Sequence, residues 1–362
     1  MNTNRKSKGM LDWKAVIGIL ISIAALWWAF HDIHFAEVLA EVRLADPFWF
    51  IAAVFFATAV FALRAWRWKT LLDPIQPGTG FRSRFAATTI GFMGNNLLPA
   101  RIGEFARAFA LSRMERVSVV GSFGSLVVER LFDAILIFSL LFISAALPGF
   151  PTGWMDDPTL ALIVRSAVTL VAVLIPLAFL LVFAPVRAVR IFEQLARVLP
   201  AKVRRPIIDA LEAFLSGLGA LRSPRLLVIA TFQSTVLWLF NALGFWAAFK
   251  AFDIPIGFGG ALFLQSVVAL FVSVPSGPGF FGLFEGAARV VLTGLFGIVE
   301  QKSVAYAISF HLGGFIPVTL IGLYYAWRLG LSLADVERSE ERVETAVEAA
   351  PPPPADGGED DV

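Results

Sequence analysis

Long apolar runs alternate with short polar or charged stretches from residue 15 to residue 328. A helix needs about 20 residues to cross the hydrocarbon core of a bilayer. Runs at 15–30, 48–68, 117–147, 160–184, 226–249 and 304–328 meet or approach that length and predict six full spans. The first is short, yet Arg5, Lys6, Lys8 and Lys14 precede it and Trp27-Trp28 stands at its far end. That pattern suits a span anchored at both interfaces better than a cleaved leader.

Two further apolar stretches, 85–98 and 257–274, are followed by proline, glycine and a glutamate. The first continues Pro99-Ala-Arg101-Ile-Gly103-Glu104, the second Pro278-Gly279-Phe-Phe-Gly282-Leu-Phe-Glu285. Pro99 and Pro278 lie 179 positions apart in a chain of 362. Broken backbone at membrane depth survives only when it is buried in protein or lines a wet cavity. A matched pair of broken segments entering from opposite sides predicts an inverted repeat around a central site. The expected fold is therefore an all-α polytopic membrane protein of six full spans plus two re-entrant or broken helix pairs. Ordinary proline-kinked spans with glycine for close packing are the plainer alternative.

Composition agrees: 57% of residues are hydrophobic and 16% charged, against about a quarter charged in a soluble domain. There is no cysteine, which excludes disulfides, thiolate metal sites and a thiol nucleophile. No cofactor is expected, nor a nucleic-acid partner. Residues 331–362 carry ten acids and two bases, so 1–330 forms the transmembrane domain and 331–362 reads as an acidic, Pro-rich, disordered tail. Residues 31–46 and 148–159 are acidic and are assigned outside; 187–225 holds eight bases and is assigned inside. Both termini then lie in the cytoplasm. The basic loop alternates apolar and Arg positions, which suits an anionic lipid surface or a helical cover on the span ends.

Charge inside a span costs roughly 2.5–3.5 kcal/mol on insertion scales and marks a pathway by default. Glu129, Arg130 and Asp133 stand midway along 117–147 on one helix face. Two acids and one base leave a negative residue of charge that calls for a cation, a proton or another arginine. Arg101, Arg107 and Arg289 are the candidates to supply it. A self-neutralised pair locking two helices is the structural alternative. Glu104 and Glu285 border the breaks, Asn95 and Asn96 offer neutral donors, and His311 in the last run is expected to make an interhelical bond, as are Gln233, Asn241 and Gln265.

The motifs from Asn95 to Arg107, from Glu129 to Asp133 and from Pro275 to Glu285 resemble the lysylphosphatidylglycerol synthase transmembrane-region family. This flippase-like module occurs alone and as the membrane half of the multiple peptide resistance factor. The resemblance implies re-entrant helices, residence in the plasma (inner) membrane and translocation of a polar lipid. It points to Asn96, Arg101, Glu104, Glu129, Arg130, Asp133 and Glu285 as substrate-binding residues. Pro99, Gly103, Pro278, Gly279 and Gly282 would be the structural breaks. The 32-residue tail, 331–362, is too short for an aminoacyltransferase, so no enzymatic step is expected.

The leading expectation is a flippase working by alternating access. Arg101 and Arg130 would hold a phosphate by the planar guanidinium fork, and the acids a head-group amine, hydroxyls or coupling protons. No Gly-x4-Gly-Lys-Ser/Thr loop is present to bind ATP. A membrane enzyme finds little support: Asp156-Asp157 lacks a second acidic cluster, and no Gly-x-Ser-x-Gly elbow exists. A non-transporting partner of a lipid-synthesis enzyme is the remaining alternative. A homo-oligomer is compatible with all of these.

Overall fold

The computed structural model describes residues 13–31, 33–98, 102–151, 223–274 and 276–348, with isolated positions between 156 and 194. Among the described residues the ordered elements are all helical. We number them α1 (Trp13–Phe30), α2 (Phe35–Leu44), α3 (Pro47–Leu72), α4 (Phe81–Leu97), α5 (Gly103–Met114) and α6 (Val119–Ala145). After the less described stretch come α7 (Pro224–Ala251), α8 (Phe258–Phe271), a 3-10 turn (Pro278–Phe280) and α9 (Leu283–Arg289). A π-helical turn (Val290–Leu295), α10 (Glu300–Arg328), α11 (Leu333–Glu337) and α12 (Ser339–Glu348) complete the order.

Local chemistry starts the long helices. Asp46 accepts from the backbone N–H groups of Phe48 and Trp49, with Pro47 in the first turn of α3. Ser223 and Pro224 play the same parts for α7, and Ser118 caps α6. A short polar acceptor followed by proline suits a helix start, because the first N–H groups have no intrahelical partner. Apolar side chains such as Phe48, Ile51 and Phe55 of α3 or Ile316 and Leu320 of α10 stay exposed, as a lipid-facing stripe should.

Helices α3, α7 and α10 are long and apolar enough to cross a membrane. Helix α1 and α2 form a pair bent by 79° that passes the same test together. Helix α6 is 27 residues long but carries Glu129, Arg130 and Asp133 near its middle. The described residues thus give three or four apolar spans rather than the six expected; run 160–184 lies largely outside them, as do Pro99, Arg101, Pro275 and most of the basic loop 187–225. Residues 31–46, assigned outside, hold α2, which packs on α10 and buries Val38. One reading needs correction. Residues 333–348 are not disordered: α11 and α12 lie on α4, α5 and α6, burying Val336, Ser339 and Val343. Their apolar positions fall on one helical face, which suffices to dock a segment that is acidic overall.

The order long helix, short helix, break, short helix, long helix occurs twice, as α3–α6 and α7–α10. Within each set, neighbours pack alike: α3 on α4 and α7 on α8, α5 on α6 and α9 on α10. Between the sets the partners exchange, α4 lying on α10 and α8 on α6, while α3 lies on α7. The α3/α7 pair is antiparallel, since Asp46 N–H donates to Ala251 O (2.8 Å) at one end and Arg67 to Ser234 Oγ (3.0 Å) towards the other. Helices α4 and α10 also run oppositely, with Phe85 against Tyr325 and Asn96 donating to Thr319 Oγ1 at 2.8 Å. One apolar core centres on Trp68, Ile90 and Met93 of the first half and takes in Ala230 and Ala326 of the second. Another centres on Phe249, Phe263 and Tyr306 of the second and takes in Ala53 and Leu141 of the first. A seam of Val60, Leu136, Leu237 and Trp238 joins them.

Candidate functional site: a buried arginine cluster beside the first break

Helix α6 carries Glu129 and Asp133 one turn apart, both almost fully buried. Helix α5 lays Arg107 across Glu129 as a bidentate pair, at 2.8 and 3.0 Å, and stacks its guanidinium 4.0 Å from the Trp68 ring. From α3, Arg67 donates to Asp133 at 2.6 Å and stands 3.2 Å from Glu129. Arg64, one turn earlier on the same face, lies 3.6 Å from Asp133 and over the rings of Phe92 and Trp238. Trp238 of α7 donates to Asp133 at 3.0 Å, so the second half also touches the cluster. Arg130 donates to Glu129 at 2.7 Å and is the half-exposed member, with Glu104 at 3.8 Å.

Four guanidinium groups therefore face three carboxylates. Arginine keeps its charge in any protein setting, so the excess is positive. The negative residue of charge on α6 is thus met by Arg107, one of the expected suppliers, and exceeded through Arg64 and Arg67 of α3. The pairing is also incomplete. Arg64 Nε, Arg67 Nε and Arg107 Nε are buried and make no hydrogen bond among the described residues. Arg64 Nη1 and Arg67 Nη2 meet carboxylates only as ion pairs at 3.6 and 3.2 Å, and Asp133 Oδ2 likewise accepts no hydrogen bond. A buried donor left unmet costs about 1–3 kcal/mol, more when charged. Such a site favours an anion with several acceptor oxygens.

The predicted residues divide between two places. Glu129, Arg130, Asp133 and Glu104 come together, with Arg107 as the extra arginine. Glu129 has both oxygens taken by arginines and lies fully buried, so it orients guanidinium groups rather than holding an amine. Asn96 ties α4 to α10 through Thr319, and Asn95 accepts from Gly103 N–H at 2.9 Å, closing the first break. A side chain at Gly103 would run into Gly91 O and Asn95, so this position packs two helices at contact distance. Arg101 and Pro99 lie outside the described residues. Arg289 does not join the cluster; it bridges Glu300 and the carbonyls of Trp28 and Ala29.

Glu285 sits at the second break. Its Oε2 accepts from Gly282 N–H and its Oε1 lies 2.7 Å from His311 Nδ1, so His311 does make an interhelical bond. Gly282 and Gly279 have φ of +87° and +69°, a backbone region that favours glycine. Pro278 opens the 3-10 turn that contains Gly279. Arg64 and Arg67 were not among the expected site residues, because they close the apolar run 48–68. Their three-residue spacing, in register with Trp68 and Leu71 on the buried face, is the signal that could have found them.

The sequence model of the lysylphosphatidylglycerol synthase TM region matches residues 15–322. The chain belongs to this family. Family relatives include a UPF0104 membrane protein of Methanothermobacter thermautotrophicus, 23% identical, the match covering 89% of this chain and 97% of that one. Another UPF0104 membrane protein, of Methanocaldococcus jannaschii, is 22% identical over 85% of this chain and 93% of its own length. The chain is also 26% identical to the glycosyltransferase AglD of Haloferax volcanii across 82% of its length, but spans only about half (51%) of that relative. This lysylphosphatidylglycerol synthase TM-region chain is thus a membrane protein whose family module stands alone in some relatives and fills half of another.

Proposed function

We propose that the chain moves a polar lipid with an anionic head group between leaflets of the plasma (inner) membrane. On this reading it catalyses no bond-breaking step itself. The observation that carries the proposal is the arginine cluster: an excess of buried positive charge, with unmet donors, beside a broken helix. A phosphodiester supplies both the charge and the acceptor oxygens, with Arg64 and Arg130 as its first contacts and Arg67 and Arg107 fixed behind them. The swapped, antiparallel packing of α3–α6 and α7–α10 supports an inverted repeat, and such repeats carry alternating access about a midplane site. With six full spans, both termini would face the cytoplasm.

The test is reconstitution of the full chain into vesicles of phosphatidylethanolamine and phosphatidylglycerol containing NBD-labelled phosphatidylglycerol. Dithionite bleaching should reveal the inner-leaflet label at least about tenfold faster than in protein-free vesicles. Arg64→Gln should lose most of that rate while melting less far below wild type than a Glu129 variant, since among the described residues Arg64 meets Asp133 and Glu129 only as ion pairs at 3.6 and 4.0 Å. Bleaching no faster than in empty vesicles would defeat the proposal.

The AglD match favours one second reading, a membrane partner for an enzyme that works on lipid-linked sugars. A scaffold of that kind should tolerate Arg64→Gln in cells.

A further inference from the structure

The cluster beside the first break is rich in fixed charge. The second break holds a pair whose charge can change. We propose that Glu285 and His311 form a proton-binding site, loaded when the second break is closed and emptied when it opens to water. Its coupling to lipid movement rests on the translocation reading above; the proton site itself does not.

Glu285 is 2% exposed, and the His311 side chain 10%. The imidazole stacks on Phe284 with centroids 4.4 Å apart and lies 4.8 Å from Phe281, so its surroundings are aromatic. Among the described residues, other elements bring no neutralising group to this level. Helix α3 presents Phe50 and Val54 against Gly313, and α7 presents Phe245 against Phe310. Helix α1 has no ionisable residue from 15 to 30, and α8 has none at all. Helix α4 carries only Arg82 and Arg84, with Arg84 bound to Ala65 O and Thr79. On the pair's own helices, Arg289 is taken by Glu300, and Lys302 stands 3.9 Å from Glu41 of α2. Tyr306 donates to Phe245 O.

A carboxylate with a neutral imidazole would leave one uncompensated negative charge in this aromatic box, which is costly. One added proton makes the pair neutral overall. The closed break therefore favours the loaded form, and exposure to water removes that preference. The arithmetic links the two halves. An anion entering the arginine cluster brings negative charge while the proton brings positive charge. A monoanion and a proton moving together carry no net charge, so the cycle should respond to a pH difference more than to voltage.

The experiment uses the full chain with His31→Asn and His34→Asn, which leaves His311 as the sole imidazole, labelled with 15N and held in phosphatidylglycerol nanodiscs. Its ring nitrogens should shift reversibly between about pH 5 and pH 9, the range in which histidine can serve as a switch. Glu285→Gln should alter the pH dependence of those resonances, because it removes the carboxylate 2.7 Å from the ring. Resonances that stay flat across the range, or a midpoint indifferent to Glu285→Gln, overturn the site. In the NBD-phosphatidylglycerol assay the wild-type rate should change at least about threefold across that range and His311→Gln should flatten it. A His311→Gln chain that keeps the wild-type profile overturns the coupling. A chain whose His311 titrates as expected but which moves no lipid at any pH supports the proton site and defeats the translocation reading.

Discussion

The two broken hairpins, α4–α5 and α8–α9, share an architecture and differ in chemistry. Each joins a short helix through glycine to another short helix and packs against the long helix that follows. The first is backed by four arginines and three carboxylates. The second is backed by a single glutamate–histidine pair in an aromatic box. Duplicated geometry therefore does not mean a duplicated site. The backbone problem, how to end a helix in oil, is solved the same way twice with glycine and a polar partner for a freed N–H. The electrostatic problem is solved once with permanent charge and once with a group that can gain or lose it.

The largest effect should follow from removing the acid that holds the first cluster. Glu129→Ala strands Arg107, Arg67 and Arg130 together, and breaking a buried pair from one side costs about 3–5 kcal/mol. Detergent-solubilised variant should melt well below wild type, whereas Glu285→Gln, which keeps an acceptor for Gly282 N–H, should shift melting far less. Equal losses from both would erase the contrast. Next come the glycines: Gly103→Ala drives a methyl into Gly91 O, and Gly282→Ala adds a left-handed backbone to a clash with Leu26 N. Each should cost about 1–3 kcal/mol, as overpacking does, with Gly282→Ala at the higher end in chemical unfolding. Trp238→Phe tests the seam, since it deletes the indole bond from α7 to Asp133. The expected loss is about 1 kcal/mol, read by the same unfolding curves.

The smallest effect concerns α11–α12. Hydrogen bonds from the Ser332 hydroxyl and backbone, and then Arg342 and Arg338, hold the Asp335 carboxyl below its ordinary range. A depressed folded value contributes stability above the unfolded value, about 3.9, and loses it as pH falls through the folded one. Proteolysis after residue 330 should therefore stay slow down to the ordinary carboxylate range and quicken only in stronger acid. Asp335→Asn should make that protection independent of acid.

Helix ends and breaks were legible because they are written locally. The two Pro-x-x-x-Gly elements act within a turn of where they stand, as Pro47, Ser118 and Ser223 do at the helix starts the structure shows. Glu129, Arg130 and Asp133 were legible because charge in an apolar run has few explanations. The sign of the cluster was not, because it depends on Arg64, Arg67 and Arg107, which come from two other helices. A base at the end of a span looks the same whether it reaches the head groups or turns inward. Packing of α11–α12 escaped notice for a related reason: net charge describes a segment's average, and docking needs only Val336 and Val343 on one side.

The close approach at Gly91 and Gly103 has a mechanical consequence. With Gly103 resting on the Gly91 carbonyl and the Asn95 side chain bonded across to Gly103 N–H, α4 and α5 have little room to slide, so the first hairpin should move as one stiff leaf. Any motion that uncovers the arginines has to hinge where that leaf meets its neighbours, and a single methyl at its fold should jam the door rather than merely loosen it.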